Sequence, residues 1–330
     1  MIYFDQRWEG ATGIGRFCRE VSVRLRGVTN LPLGGNPASA FDCVRLTLFM
    51  LLHPKAFVVS PGYSAPVFGL RRFVLTVHDL NHIDVEHNSG LLKRAYYRLV
   101  LRRACRRAAR VLTVSEFSRA RIVSWADVSP AQVVCVGNGV SEVFLEGEVN
   151  DTSRVAADGY LLCVGNRKGH KNEAALIRCL AELKRYPNLR VIFSGEPSLE
   201  LLELGERLAV GGRVSFTGPV TEARLSRLYR EAAILVFPSL YEGFGLPAIE
   251  AMAAGCPVIA SATTALGEIA GEACLRVDPS DDLAIASAIS SLIDDPQLRA
   301  SLQSKGLKRC SLYGWSGVGD RVQSVVSSLR

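Results

Sequence analysis

The feature that most constrains the fold is a rhythm. Short runs of aliphatic and β-branched residues, each closed by a loop signal, alternate with longer stretches of helical spacing. IYFD, FVVSPGY, FVLTVHDL, RVLTV and VVCVGNGV supply the runs of the first half. YLLCVG, LRVIFSG, RVSFTG, AILVFPS and CPVIAS supply those of the second. Continuous apolar runs of this length belong to parallel strands covered on both faces. Between them, GATGIGRF reads as a glycine loop opening a helix to about Arg26, and Ser115 is well placed as an N-cap. KNEAALIRCLAEL, LSRLYREA, PAIEAMAAG and LAIASAISSLI read as helices. The alternation predicts an α/β protein with two doubly wound sheets, and 330 residues suffice for both. The polar stretch EGEVNDTSRVAADG, residues 146–159, lacks apolar periodicity and predicts the linker. The first domain is thus expected over 1–150 and the second from 151.

Ligands of doubly wound sheets bind beyond the carboxyl ends of the strands. YEGFGLPAIEAMAAG follows AILVFPS at such an end. Pro247 suits a first helical turn, where its missing N–H costs nothing. Ala251, Ala253, Ala254 and Gly255 keep the helix slim. Gly243 and Gly245 allow backbone N–H groups to face inward beside Phe244 and Leu246, and a helix start favours an anion such as phosphate. Glu250, one turn in, is suited to accept from vicinal hydroxyls, and Glu242 to do so for a second polyol. The residues alone also allow an ordinary tight turn with both glutamates solvated. Arg167, Lys168, His170 and Lys171 gather after YLLCVG. Fixed cations there would stabilise a departing diphosphate, or simply form a solvated basic turn. His78 and Asp79 end FVLTV, with His82 and His87 in the loop beyond. Neither GxGxxG nor GxxxxGK[ST] occurs.

Charge divides the chain. Residues 1–150 carry 19 Lys/Arg against 12 Asp/Glu, while 151–330 carry 20 of each. A basic half invites an anionic partner. Its focus is KRAYYRLVLRRACRRAAR, Lys93 to Arg110, where Arg94, Arg98, Arg102, Arg106 and Arg110 recur at i, i+4, with Leu99, Val100 and Leu101 expected near the opposite side. Such a helix suits an anionic membrane surface or serves solubility. Nucleic acid is not expected, since aromatic interleaving and known motifs are missing. The longest apolar run, LTLFMLLHPKAFVV, is broken by His53, Pro54 and Lys55, too short to span a bilayer. No signal-peptide pattern opens the chain. Nine scattered Cys without a CxxC pair predict reduced core thiols and no zinc site. Asp-x-Asp does not occur; Asp281–Asp282 and Asp294–Asp295 read as helix-start and helix-end residues, so no metal is implied.

PSLYEGFGLPAIEAMAAGCPVIAS closely resembles the glutamate-x7-glutamate segment of the retaining, GT-B-fold glycosyltransferases of family 4. GATGIGRF, LTVHDL, VLTVSEFSR, VGNGVSEVF, LLCVGNRKGHKN and WSGVGDRVQSVVSSLR resemble further segments of that family, so the likeness covers nearly the whole chain. It implies two Rossmann-like domains facing a cleft: an acceptor domain over 1–150, a nucleotide-sugar domain over 151–312, and a helix over 313–330 packing back on the first. It implies that Arg167 and Lys171 hold a pyrophosphate and that His78 places and polarises the transferred sugar. Asp79 would orient, Glu242 would position the sugar, and Gly13 and Gly15 would bring a loop close to the donor phosphates. Attack comes on the same face, the leaving phosphate helping to take the acceptor proton, with no cofactor besides the nucleotide-sugar donor. GNRKGHKN resembles mannosyl-transferring relatives in surface-polysaccharide synthesis, which makes GDP-mannose the first donor to consider. The acceptor is expected to be a glycan, linked to a polyprenyl diphosphate at the inner face of the cell membrane. Two other readings are a nucleotide-sugar epimerase, for which a second set of acids and bases is wanting, and a non-catalytic nucleotide-sugar-binding protein.

Overall fold

The computed structural model describes residues 1–39, 41–85, 90–147 and 159–329. His87 and most of the expected linker therefore lie outside the described residues. The chain forms two compact units, Met1–Gly139 with Gly314–Arg330, and Val140–Tyr313.

In the first unit six parallel strands run in the order β2-β1-β3-β4-β5-β6. They are β1 (Ile2–Phe4), β2 (Thr29–Asn30), β3 (Phe57–Ser60), β4 (Phe73–Thr76), β5 (Arg110–Thr113) and β6 (Val133–Cys135). In the second the order is β12-β11-β10-β7-β8-β9. These are β7 (Tyr160–Cys163), β8 (Arg190–Phe193), β9 (Val214–Phe216), β10 (Ile234–Phe237), β11 (Val258–Ser261) and β12 (Leu275–Val277). Ile2 stands opposite Phe57 across β1/β3, and Ile234 opposite Leu161 across β10/β7. β4, β7, β10 and β11 are buried throughout, which is why their sequences run apolar without alternation. Two edge strands escape sequence reading. β2 has two exposed residues, and β12 carries an exposed Arg276 between Leu275 and Val277. A third omission is the helix Pro296–Cys310. The carboxylate of Asp295, read as a helix end, accepts from the Gln297 and Leu298 N–H groups and so caps this next helix.

The first helix, α1 (Gly13–Ser22), stops short of Arg26 because the Val21 carbonyl takes both the Arg24 and Leu25 N–H groups and closes the last turn. The last helix, Trp315–Ser327, belongs to this unit. Its Trp315 lies so close over Gly139 that a Cβ there would sit 2.5 Å from the indole. Arg321 Nε donates to the Val136 carbonyl at 2.7 Å. Residues just after Gly139, expected in the first half, pack in the second unit instead. Phe144 is fully buried edge-on to Tyr229, and Ser226 donates to the Val143 carbonyl at 2.8 Å. The unit boundary thus falls upstream of the polar stretch.

The basic run differs from its expected form. Leu91–Tyr96 is α-helical, Tyr97–Leu101 is a π turn, and Arg102–Arg107 is α-helical again. The chain then leaves the helix: Ala109 N–H donates to the Leu70 and Phe73 carbonyls, and Arg110 opens β5. The π turn shears the i, i+4 stripe, since its residues advance by a wider turn. Tyr97, Leu101, Ala104, Cys105 and Ala108 form the buried seam. Leu99, expected away from the arginines, is exposed beside Arg98.

Candidate active site

In the second unit the strand order reverses between β7 and β10, which are neighbours in the sheet but distant in sequence. Such a switch point opens a crevice at the strands' carboxyl ends. Lys171 lies in the one-turn helix Gly169–Lys171 after β7, and Glu242 in the loop after β10. Lys171 Nζ donates to Glu242 Oε1 at 2.5 Å, and both side chains are mostly covered. The ammonium also faces the Phe237 ring at 5.3 Å. A charge pair held this way in a semi-dry crevice gives Lys171 a fixed place from which to meet an incoming anion.

Arg167 is brought to the same strand end but is engaged on all sides. Its guanidinium donates to Glu173 Oε1 (2.5 Å), the Ser194 carbonyl (2.6 Å) and the Glu196 carbonyl (2.9 Å), and lies over Phe193 and Phe216. Glu173 is buried, and desolvation raises its pKa against the pull of Arg167. Gly165 is required here by close approach, because a Cβ would stand 2.1 Å from Glu173 Oε1. Of the other two basic residues, Lys168 is exposed. His170 is buried, and burial, then Lys171, lowers its pKa to about 4. The four-cation cluster therefore resolves into two carboxylate-paired cations, one exposed lysine and one neutral imidazole.

The loop after β10 leads into the helix Leu246–Ala253, with Pro247 in its first turn. Gly245 is the N-cap at φ +98°, a backbone region that residues with side chains rarely adopt, and an added Cβ would stand 2.3 Å from Leu266. Gly243 is buried, Leu246 half-buried, and Phe244 packs edge-on against Tyr313. Glu250 is 3% exposed, and its Oε2 accepts from the Tyr229 hydroxyl at 3.0 Å. The backbone at Glu242 is fixed by an N–H bond to Thr264 Oγ1 at 3.2 Å.

In the first unit the reversal falls between β1 and β3. Gly13 and Gly15, expected on a loop, stand in the first turn of α1. Thr12 Oγ1 accepts from Gly15 N–H at 3.1 Å, and neither glycine has positive φ. Gly15 serves packing: a Cβ would lie 2.3 Å from the Gly10 carbonyl oxygen. His78 follows β4. Its Nε2 lies 2.9 Å from the Pro61 carbonyl, so that nitrogen carries the proton and Nδ1 is the acceptor. Phe17 of α1 meets the ring edge-on at 5.0 Å, and Ser118 Oγ donates to the His78 carbonyl at 3.0 Å. Burial pushes the His78 pKa down to about 4, so the ring is neutral at physiological pH. The Asp79 carboxylate accepts from Asn81 N–H at 3.0 Å and sets the turn that follows. His82 is half-buried against Tyr97.

Sequence reasoning missed five side chains. Glu173 and Tyr229 are the buried partners of Arg167 and Glu250. Near α1, Arg7 joins two fully buried carboxylates, meeting Asp5 at 2.8 Å and Asp42 at 2.7 Å. A signal existed for Glu173 alone, an acid opening a helix directly after a basic turn. Among the described residues no three His, Cys, Asp or Glu side chains gather as a metal site.

Two parallel six-stranded sheets, each with helices around it, are the GT-B architecture of glycosyltransferases. The chain matches a solved structure of WaaG, "a glycosyltransferase involved in lipopolysaccharide biosynthesis", with a TM-score of 0.78 at 17% identity, covering 99% of this chain and 100% of that one. It matches Anabaena Alr3699/HepE in complex with UDP and glucose equally, at 0.78 and 19% identity, covering 99% of each. Residues 16–143 match the family described as Glycosyltransferase Family 4, and residues 149–309 that described as Glycosyl transferases group 1. Over 92% of its length the chain is 30% identical to O-antigen chain mannosyltransferase B of Escherichia coli, covering 93% of that protein. It is 28% identical to O-antigen chain mannosyltransferase RfbU of Salmonella typhimurium over 72% of this chain and 65% of that one. The chain belongs to the family 4, group 1 glycosyltransferases, and it is a transferase enzyme.

Proposed function

We propose that the protein is a retaining hexosyltransferase. It takes mannose from GDP-mannose to a glycan acceptor carried on a polyprenyl diphosphate in surface-polysaccharide synthesis. The observation that carries the reading is the Lys171–Glu242 pair at the β7/β10 switch point, beside the glycine-capped helix that holds Glu250. Lys171 turns from Glu242 to the diphosphate and stabilises it as the bond from the sugar's C1 to the phosphate oxygen breaks. Glu242, so released, takes sugar hydroxyls, and Glu250, fixed by Tyr229, takes the ribose. The acceptor oxygen attacks C1 from the face the diphosphate leaves, and the departing phosphate accepts its proton. Neutral His78 offers Nδ1 to a hydroxyl of the sugar. Arg167, tied to Glu173, acts by holding the loop that carries Lys171. Gly13, Gly15 and Asp79 set backbone near the donor. The chemistry uses fixed cations and no metal. The names of the E. coli and Salmonella relatives support mannose and O-antigen synthesis.

In this reading the enzyme works in the cytoplasm, peripheral to the inner face of the membrane, where its acceptor is held. Arg94, Arg98 and Arg102 on the helical run would meet anionic headgroups. No helix among the described residues is long and apolar enough to cross a membrane. The test is nucleotide release from GDP-mannose, UDP-glucose, UDP-galactose, UDP-N-acetylglucosamine and dTDP-rhamnose, with EDTA and anionic vesicles carrying a polyprenyl-diphosphate glycan. Release from GDP-mannose alone is expected; release that EDTA abolishes would contradict the metal-free chemistry, and release from another donor the choice of sugar.

A further inference from the structure

One surface takes no part in the transfer chemistry. In α2 (Asp42–Leu52) the inward face is Asp42, Leu46, Phe49 and Met50, all buried. The outward face, with the cap residue, is Phe41, Val44, Leu48, Leu51 and Leu52, each between 52 and 76% exposed. Steps of three, four, three and one residues place all five in a single stripe about 100° wide. Five of the seventeen exposed large apolar side chains among the described residues thus crowd onto one helix, which ordinary surface scatter does not produce.

The helix that carries the stripe adjoins a basic cavity of about 710 Å³, whose lining includes Phe68, Arg71, Arg72, Arg103, Arg106 and Arg107 and no carboxylate. Residues of the lining bond directly to α2 and the turn after it. Val67 N–H donates to Thr47 Oγ1 of α2 at 2.8 Å. Arg72 donates to the Met50, His53 and Ala56 carbonyls at 2.9 to 3.1 Å, and Arg103 to the Val67 carbonyl. Arg106 meets the exposed Asp127 at 3.3 Å. Arg71 and Arg107 are exposed and hold no carboxylate among the described residues. Phe68 is itself more than half exposed. The cavity sits where β4 and β6 begin, at Arg72 and Gln132, whereas His78 follows the end of β4. It is therefore apart from the chemistry at the strands' carboxyl ends.

We propose that α2 and this cavity form one bilayer-docking surface. Leu48, Leu51, Leu52 and Phe68 enter the acyl boundary of an anionic membrane, and Arg71, Arg103 and Arg107 grip lipid phosphates. The occupant follows from charge complementarity. An apolar stripe on a helix beside arginines of which, among the described residues, Arg106 alone meets a carboxylate matches a membrane whose phosphates overlie hydrocarbon, and a protein partner would have to be acidic and apolar in the same order. The inference deepens the membrane half of the proposed function and adds a distinct property. Attachment by arginines alone is screened by salt, whereas attachment through α2 survives it.

Flotation of the full chain with vesicles tests this, using phosphatidylcholine with and without phosphatidylglycerol, at low salt and at about 1 M NaCl, where the screening length is about 3 Å. The wild type is expected to float with the anionic vesicles and to remain bound in high salt. Leu48→Gln/Leu51→Gln should bind at low salt and lose at least tenfold in bound-to-free ratio at high salt. Leu48→Ala/Leu51→Ala, which keeps helix propensity, should fall between them. Arg71→Gln/Arg107→Gln should lose the preference for phosphatidylglycerol. Inorganic phosphate at matched ionic strength should release no more protein than NaCl does. Equal salt resistance in the wild type and Leu48→Gln/Leu51→Gln would overturn the proposal. So would selective release by inorganic phosphate, which would mark a free-anion site, or a wild-type dimer that fails to float and that Leu48→Gln/Leu51→Gln dissolves. Nucleotide release, measured without vesicles, fails or succeeds separately from flotation, so the two readings fall independently.

Discussion

The two switch points share a fold and differ in charge. At β7/β10 the chain sets out ions and then pairs them: Lys171 with Glu242, Arg167 with Glu173, and buried Glu250 under Tyr229. At β1/β3 the ions of Arg7, Asp5 and Asp42 are gathered in one buried cluster, and the ground around His78 is neutral. A helix start, the Pro61 carbonyl, the Phe17 ring and an uncharged His78 meet there. At the other end of the first unit's sheet, Arg71 and Arg107 are exposed on a cavity lined by no carboxylate. In the proposed reading, one doubly wound scaffold is fitted twice, once for a ligand that carries and develops negative charge, and once for a group recognised through its hydroxyls. The pairing in the second unit also holds cations in a partly covered crevice, where a lone ammonium would be costly to bury.

The comparison is broken most directly at Lys171. Lys171→Ala removes the fixed cation and should lower kcat by roughly 10²–10³, the usual loss for one transition-state charge partner. His78→Ala, at the neutral site, should lose less, and equal losses would mean that the electrical contrast does not matter to the chemistry. Acid should act on both regions together. His78 and His170 stay neutral in the fold down to about pH 4, while in the unfolded chain they take protons below about 6.5. The unfolded state then binds more protons in that window, so stability is whole above 6.5 and falls as pH drops toward 4. Melting temperatures across the window should show this, and His170→Gln should flatten the slope. A slope unchanged in both His170→Gln and His78→Gln would remove these rings as the cause. Gly245→Ala forces a side chain onto positive φ and against Leu266, costing about 1–3 kcal/mol in stability; an unshifted denaturant midpoint would contradict that geometry. The smallest effect is expected from Tyr229→Phe. It removes one donor from buried Glu250, should raise the donor KM about tenfold or less, as one hydrogen bond to a charged group would, and should leave kcat nearly unchanged.

Much of this could be read from residues, for physical reasons that also mark where reading stops. The central strands β4, β7, β10 and β11 are recognisable because burial on both faces keeps their sequences apolar, and the other recognised strands keep enough of that pattern to be read; β2 and β12 are short edges without that pressure. The helix at Leu246 announces itself through Gly245 and Pro247, whose backbone preferences are local. Lys171 and Glu242 were each visible as candidates, but their bond joins residues 71 apart in sequence and only the strand order brings them together. The same holds for Tyr229 under Glu250. Arg167 shows the converse: its sequence position suggests a free cation, and the buried Glu173 and Phe193 engage it together with the half-buried Phe216. The i, i+4 arginine spacing describes an ideal helix, and a π turn at Tyr97–Leu101, which no residue preference announces, redistributes it.

The central claim is that the β7/β10 switch point holds a nucleotide diphosphate through Lys171. Calorimetric titration of GDP and GDP-mannose into the wild type and Lys171→Ala, in EDTA, tests it most directly. Binding by the wild type, weakened at least tenfold in Lys171→Ala and unaffected in His78→Ala for GDP, is the predicted result. Equal affinity in the wild type and Lys171→Ala would contradict it and move the donor site elsewhere.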